Sequence, residues 1–150
     1  MTTELKGEGR EVALAEARAV LAMARDDAMR ARLSELVGAL DEGAVAGDVE
    51  ELLEQVLELG LHTGRIRAHY GPGGEQAALR VVRRLPRGQA RAESAAEVSE
   101  ALSALAGKVV DRVAVSAVAP GSYVLTLDAG GLELAVRLVP AGARLASVGT

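Results

Sequence analysis

The amino-acid sequence contains no cysteine, phenylalanine or tryptophan, and only two of its 150 residues are tyrosines. Without cysteine the chain can form no disulfide, no thiolate nucleophile and no cysteine-ligated metal site. The scarcity of aromatic rings disfavours sites that stack bases, flavins or sugars, because such sites rely on large flat side chains. A hydrophobic core must therefore consist mainly of leucine, valine and alanine.

Long apolar stretches are also missing. No run of about eighteen apolar residues occurs, so the sequence predicts no transmembrane helix and no membrane partner. The first residues, Met1 to Lys6, have neither the basic region nor the apolar region of a secretory signal. Together with the lack of cysteine, this predicts a cytoplasmic protein. A content of 49% apolar and 25% charged residues is typical of a globular chain.

Apolar residues recur at intervals of three and four through the first part of the sequence, which is typical of amphipathic helices. The pattern from about Glu8 to Leu40 predicts one long or kinked helix, or two helices joined near Asp26. Residues 41–47 contain two glycines and predict a turn. The N-terminal helix is rich in alanine and leucine and has no obvious partner helix in the sequence.

A further helix is predicted to begin at Asp48, because Glu51 stands where a capping box requires it, and to end at Gly60. The sequence Gly-Pro-Gly-Gly at residues 71–74 predicts a break after a short helical segment. The next helical pattern covers residues 75–85.

Pro86 is predicted to end that helix, and Ser94 to begin another that runs to Ala106. The proline, glycine and charged residues between these two helices mark the best candidate for a domain boundary. We therefore expect a helical region at residues 1–88 and a helix followed by a sheet at residues 89–150, which together could still form one compact body.

After residue 107 the apolar period changes from 3.6 to 2, which indicates β-strands. Four such segments are separated by three short loops that contain glycine, two of them with proline, and each can form a hairpin. The predicted fold class is α+β, with a helical N-terminal half followed by a helix-covered four-stranded antiparallel β-meander. A cover is expected because one face of the sheet carries rows of valine and leucine.

Charge is unevenly distributed along this chain of net charge −4. Residues 41–58 contain seven acids and no base, whereas residues 61–92 contain seven arginines and one acid. One interpretation is that neighbouring helices pair these charges across a solvated seam. The other is that the arginines present a basic face to an acidic protein or to a phosphate backbone.

The segment from His62 to Gly74 holds the densest group of polar side chains and leads into a glycine-rich turn. It could form an anion site, although it lacks the order of residues that defines a phosphate loop. The candidate binding residues of this segment and of the arginine cluster are Arg65, Arg67, His69, Tyr70, Arg80, Arg83, Arg84, Arg87 and Arg91.

No arrangement of serine, histidine and carboxylate residues matches a known catalytic pattern. Two histidines seven residues apart are weak grounds for a metal site. The sequence therefore predicts no catalytic residue, no metal and no cofactor, and favours a protein that is not an enzyme.

The leading hypothesis is a non-catalytic protein-interaction or assembly module, with a homodimer as the expected state. It depends on the N-terminal helix and on the free edge of the meander. The first alternative is a regulator that binds nucleic acid or another polyanion through arginines between residues 65 and 91, which the acidic total charge disfavours. The second is a small-ligand binder or enzyme that uses residues 62–74.

Overall fold

In the computed structural model, which describes all 150 residues, helices precede a four-stranded antiparallel sheet. The predicted α+β fold class is thereby confirmed. The chain divides into two compact units, Met1–Gln89 and Ala90–Thr150, and the division falls inside a continuous helix.

The first unit consists of helices and a small two-stranded antiparallel sheet. Its elements are β1 (Thr2–Glu4), α1 (Gly7–Met23), α2 (Asp27–Glu42), β2 (Ala44–Ala46), α3 (Asp48–His62), α4 (Arg65–Arg84) and the first turn of α5 (Pro86–Ser103).

The long N-terminal pattern forms two helices, as one of the alternatives predicted. Asp26 caps α2, and its carboxylate accepts the Met29 N–H at 2.9 Å. The turn predicted at residues 41–47 is wrong in part, because this segment contains β2, in which Val45 pairs with Thr3. A strand of three residues is too short to show an apolar period, so no pattern in the sequence indicated it.

Helix α3 begins without the predicted capping box, because Gly47 occupies the N-cap and no side chain accepts an amide there. Gly60 does not end the helix. It is buried inside α3, where an added Cβ would lie 2.8 Å from the Ile66 side chain and 3.0 Å from Glu16 Oε2. The predicted break at residues 71–74 is confirmed by Gly71, whose φ of 71° and ψ of −176° interrupt α4.

The core of the first unit is built from leucine, valine and alanine, with one isoleucine. Helix α1 packs against α2, α3 and α4, and its Val12, Ala13 and Ala17 are buried. The N-terminal helix therefore finds its partners within its own unit. The expectation that it lacks a partner helix is wrong.

The second unit contains the remainder of α5 and the predicted meander, whose spatial order is the same as its chain order. Its strands are β3 (Val110–Ala119), β4 (Ser122–Ala129), β5 (Leu132–Val139) and β6 (Gly142–Gly149). The helix predicted from Ser94 in fact begins at Pro86, since proline is well tolerated in a first helical turn. Ser94 is not a cap; its hydroxyl donates to the Ala143 carbonyl at 2.7 Å.

None of the five helices combines the length and the apolar character that a membrane span requires.

Candidate interaction surfaces

One face of the meander is apolar along its whole length. Residues that pair across antiparallel strands place their side chains on the same face, and the register aligns twelve of them in three rows. We call this set the sheet face. Its rows are Val113, Leu127, Leu134 and Val148; Val115, Leu125, Val136 and Leu145; and Ala117, Tyr123, Leu138 and Ala143.

The opposite face of the sheet is largely polar. Arg112 pairs with Asp128 there at 3.0 Å, and Glu133 is the cross-strand neighbour of Asp128. Arg137 and Arg144 stand opposite each other on β5 and β6. The contrast between the two faces follows from the two-residue alternation in the sequence.

Burial of the sheet face differs between its centre and its margins. Leu134 and Val136 on β5 are buried. Six large side chains of the same face are 40–64% exposed: Val113, Val115, Tyr123, Leu138, Leu145 and Val148. These exposed side chains lie around the buried centre, so the predicted helix cover does not extend over the whole face. Extensive exposed apolar surface is uncommon on monomers and marks interaction sites. Strands β3 and β6 each pair with only one neighbour, so both edges of the sheet are open as well.

The predicted arginine cluster divides into two groups. Three of its members pair with acids of the first unit: Arg65 with Glu16 at 3.6 Å, Arg67 with Glu75 at 3.4 Å, and Arg87 with Glu58 at 3.6 Å and Glu54 at 3.9 Å. Of these acids, only Glu54 and Glu58 come from the acidic stretch at residues 41–58. Arg91 is half-buried in the second unit, beside Gly142.

The second group consists of Arg80, Arg83 and Arg84 near the end of α4. All three are exposed in the structure, and none makes an ion pair or a side-chain hydrogen bond. The structure thus brings only part of the predicted cluster to a free basic surface.

The neighbouring side chains of His69 and Tyr70 differ in their exposure and in their contacts. His69 is exposed, with its ring centroid 6.2 Å from that of Tyr70. The Tyr70 hydroxyl donates to Glu16 at 3.1 Å. Burial raises the pKa of Tyr70, the hydrogen bond and negative charge of Glu16 raise it further, and Arg65 opposes the shift.

Sequence reasoning missed three buried carboxylates, which belong to Glu16, Glu50 and Glu54. Each joins a different segment to the helices: Glu50 accepts the Thr3 hydroxyl at 2.6 Å, and Glu54 accepts the Arg87 N–H at 2.6 Å. The sequence of α3 contained an indication of this burial. Glu50 lies three residues before the buried Leu53 and Glu54 three residues before the buried Leu57, so both glutamates share the inward face of the helix. These contacts make the three glutamates parts of the scaffold.

No group of three or more histidine, aspartate or glutamate side chains is placed to hold a metal ion. No protein-family model, curated protein or solved structure shows significant similarity to this chain. The geometry of the sheet face and of the free arginines on α4 is therefore the ground on which a function can be proposed.

Proposed function

We propose that this protein is a non-catalytic assembly module that pairs with a second copy of itself through the sheet face. The proposal depends on one observation: six large apolar side chains of that face are 40–64% exposed. Covering them would remove apolar surface from water, which is the main favourable term in protein association.

A second copy is the occupant that the chemistry of the face favours. None of its twelve residues is charged, so two copies related by a twofold axis would meet without like-charge repulsion. Two sheets can stack about 10 Å apart with their apolar side chains interdigitated. The open edges at β3 and β6 would leave room for such a partner to approach.

The usual size of exposed apolar patches sets the expected scale of the interface. The largest apolar patches on monomers cover roughly 300–600 Å², and a patch in that range on each copy would bury at most about 1,200 Å² in total, the lower end of stable interfaces. We therefore expect a dimer of modest affinity that dissociates on dilution.

The test measures molar mass by sedimentation velocity and light scattering between low and high micromolar concentration, using the full chain. Val115→Glu places a charge in the middle row of the sheet face, where Val115 is 64% exposed. Ser116→Glu is the matched control, because it adds the same charge at the next residue, on the opposite face.

The wild-type chain and Ser116→Glu should form dimers as concentration rises, and Val115→Glu should stay monomeric. Circular dichroism checks that both variants keep the native content of helix and sheet. A wild-type chain that remains monomeric at every concentration contradicts self-association. Equal loss of dimer in both variants contradicts the assignment to the sheet face.

A further inference from the structure

A small groove lies between the start of α1 and the last turns of α4. It has a volume of about 250 Å³. Its floor is formed by Leu5, Gly9, Ala77 and Val81, and its rim by Lys6, Glu8, Arg80 and Arg84. We call it the basic groove; it belongs entirely to the first unit.

The close approach of α1 and α4 creates the floor. Gly9 has no side chain, and a Cβ there would lie 2.8 Å from Val81 Cγ2. Ala77 and Val81 are buried beneath it, while Arg80 and Arg84, four residues apart, stand on the same side of α4 and reach the rim.

The rim has an excess of positive charge that the protein does not neutralise. Arg80 and Arg84 make no ion pair. Lys6 pairs with Glu4 at 3.4 Å, but both side chains are highly exposed, and such pairs contribute little. Glu8 is the single acid on the rim. Arg65, Arg67 and Arg87 pair with acids, whereas Arg80 and Arg84 keep their positive charges unpaired at this groove.

We propose that the basic groove binds an acidic peptide segment of a partner protein. An apolar side chain of the peptide would lie on the floor, and carboxylates on either side of it would bind the guanidinium groups of Arg80 and Arg84. Arginine forms paired hydrogen bonds with carboxylates, which gives such contacts direction as well as attraction.

A peptide fits these features better than a nucleic acid strand. The floor is aliphatic and offers no aromatic ring on which a base could stack. The rim carries three cations, too few to follow a phosphate backbone, and the acidic total charge of the chain repels a long polyanion. A short segment with an apolar residue between acids uses both the floor and the rim.

The experiment follows fluorescence anisotropy of a labelled Glu-Glu-Leu-Glu-Glu peptide titrated with the full chain at low and moderate salt. Comparison probes are a Glu-Glu-Ser-Glu-Glu peptide and a single-stranded DNA oligonucleotide of equal charge. The double variant R80E/R84E reverses the two arginines of the rim. R25E/R32E is the matched control, since it makes the same change in net charge at exposed residues of another part of the unit.

Saturable binding of the leucine peptide should weaken about tenfold or more in R80E/R84E, the loss expected when charged hydrogen bonds are removed. It should change less than about twofold in R25E/R32E, and it should weaken as salt rises.

Three results would overturn the proposal. The first is no saturable binding at low salt. The second is an equal loss of peptide affinity in R25E/R32E, which would indicate that the peptide responds only to the net charge of the protein. The third is equally tight binding of the serine peptide or of the oligonucleotide, because neither can use the floor. The sheet-face dimer and the basic groove depend on different residues, so a negative result for one proposal does not contradict the other.

Discussion

A buried carboxylate is tolerated in a protein interior only where hydrogen bonds or cations replace the water that it loses. Glu16 is 1% exposed; it accepts a hydrogen bond from the Tyr70 hydroxyl and forms an ion pair with Arg65 at 3.6 Å. Gly60 makes room for it, because a side chain there would meet Glu16 Oε2. This small network connects α1 to α3 and α4, and it accounts for two of the residues that the sequence marked as binding candidates.

Replacing Tyr70 with phenylalanine removes the hydroxyl that donates to Glu16 and leaves that buried carboxylate with one partner fewer. The expected loss is about 1–3 kcal/mol in the free energy of unfolding, measured by urea denaturation. Tyr123→Phe is the control, because its side chain is 46% exposed and its hydroxyl makes no hydrogen bond. Equal stability of the two variants would show that the Tyr70–Glu16 contact contributes nothing.

The pKa of Tyr70 is raised above 10.0 by burial and by Glu16, so the folded state favours the protonated phenol. The stability that this contributes is fully present below about pH 10, the unfolded value, and is lost as pH rises through the folded pKa. In the Tyr123→Phe variant Tyr70 is the single tyrosine, and an ultraviolet titration should place its pKa above that of the unfolded chain. An identical pKa in folded and urea-unfolded protein would contradict the geometry.

At the scale of elements, the corner between α4 and α5 depends on a close approach of two backbone segments. Pro86 begins α5, and the Arg87 N–H in its first turn is held by the buried Glu54 carboxylate. Gly88 comes next, and a Cβ there would overlap the Val82 carbonyl oxygen and lie 2.9 Å from Arg83 Cα. Backbone atoms cannot move aside as a flexible side chain can, so this corner requires glycine.

Gly88→Ala should therefore lower the free energy of unfolding by about 1–3 kcal/mol or more through overpacking. Gly38→Ala is the contrasting variant, since Gly38 lies within α2 with no atom within 4 Å of an added Cβ. That change should stabilise the protein by about 0.5–1 kcal/mol. Thermal denaturation of both variants checks the opposite signs, and a shift in the same direction would refute the account of the corner.

At the scale of the whole molecule, the two units have unequal cores. The core of the first contains eighteen buried apolar residues. In the second, the buried apolar residues are Val98, Ala129, Leu134, Ala135 and Val136. A unit of about 60 residues is marginal even with a full core, and the sheet face leaves much of its apolar surface in water. The second unit should thus be the less stable one, and pairing through the sheet face would stabilise it.

Each unit contains one tyrosine, Tyr70 in the first and Tyr123 in the second, so fluorescence of a Tyr70→Phe chain reports the sheet. Leu134→Ala in this background should lower the free energy of unfolding of the sheet, followed by tyrosine fluorescence, by about 2–5 kcal/mol. The helical circular dichroism should persist to a higher urea concentration than the fluorescence signal of the sheet. The sheet transition of the parent chain should also move upward with protein concentration, as mass action requires for a dimer. One shared transition that is independent of concentration would contradict both expectations.

The sequence by itself determined most of the elements of this protein, though not the short strands β1 and β2. The change of apolar period after residue 107, with glycine turns between the segments, was sufficient to predict all four strands of the meander and its apolar face. Asp26 marked the junction of α1 and α2, because a side-chain cap acts within a few residues. The predicted caps at Asp48 and Ser94 are wrong for different reasons. Gly47 takes the N-cap directly before Asp48, and Ser94 lies inside a helix that begins eight residues earlier, at Pro86.

Only the tertiary structure decided how the charges are used. Arg65 and Arg87 bind buried glutamates, whereas Arg80 and Arg84 remain free beside Leu5 and Lys6 from the start of the chain. Ion pairs and grooves form between residues distant in sequence, and their formation depends on how the helices pack. Helix α1 lies in the core of the first unit, whereas six large side chains of the sheet face are exposed. The apolar surface proposed for assembly therefore lies on the meander and not on the N-terminal helix.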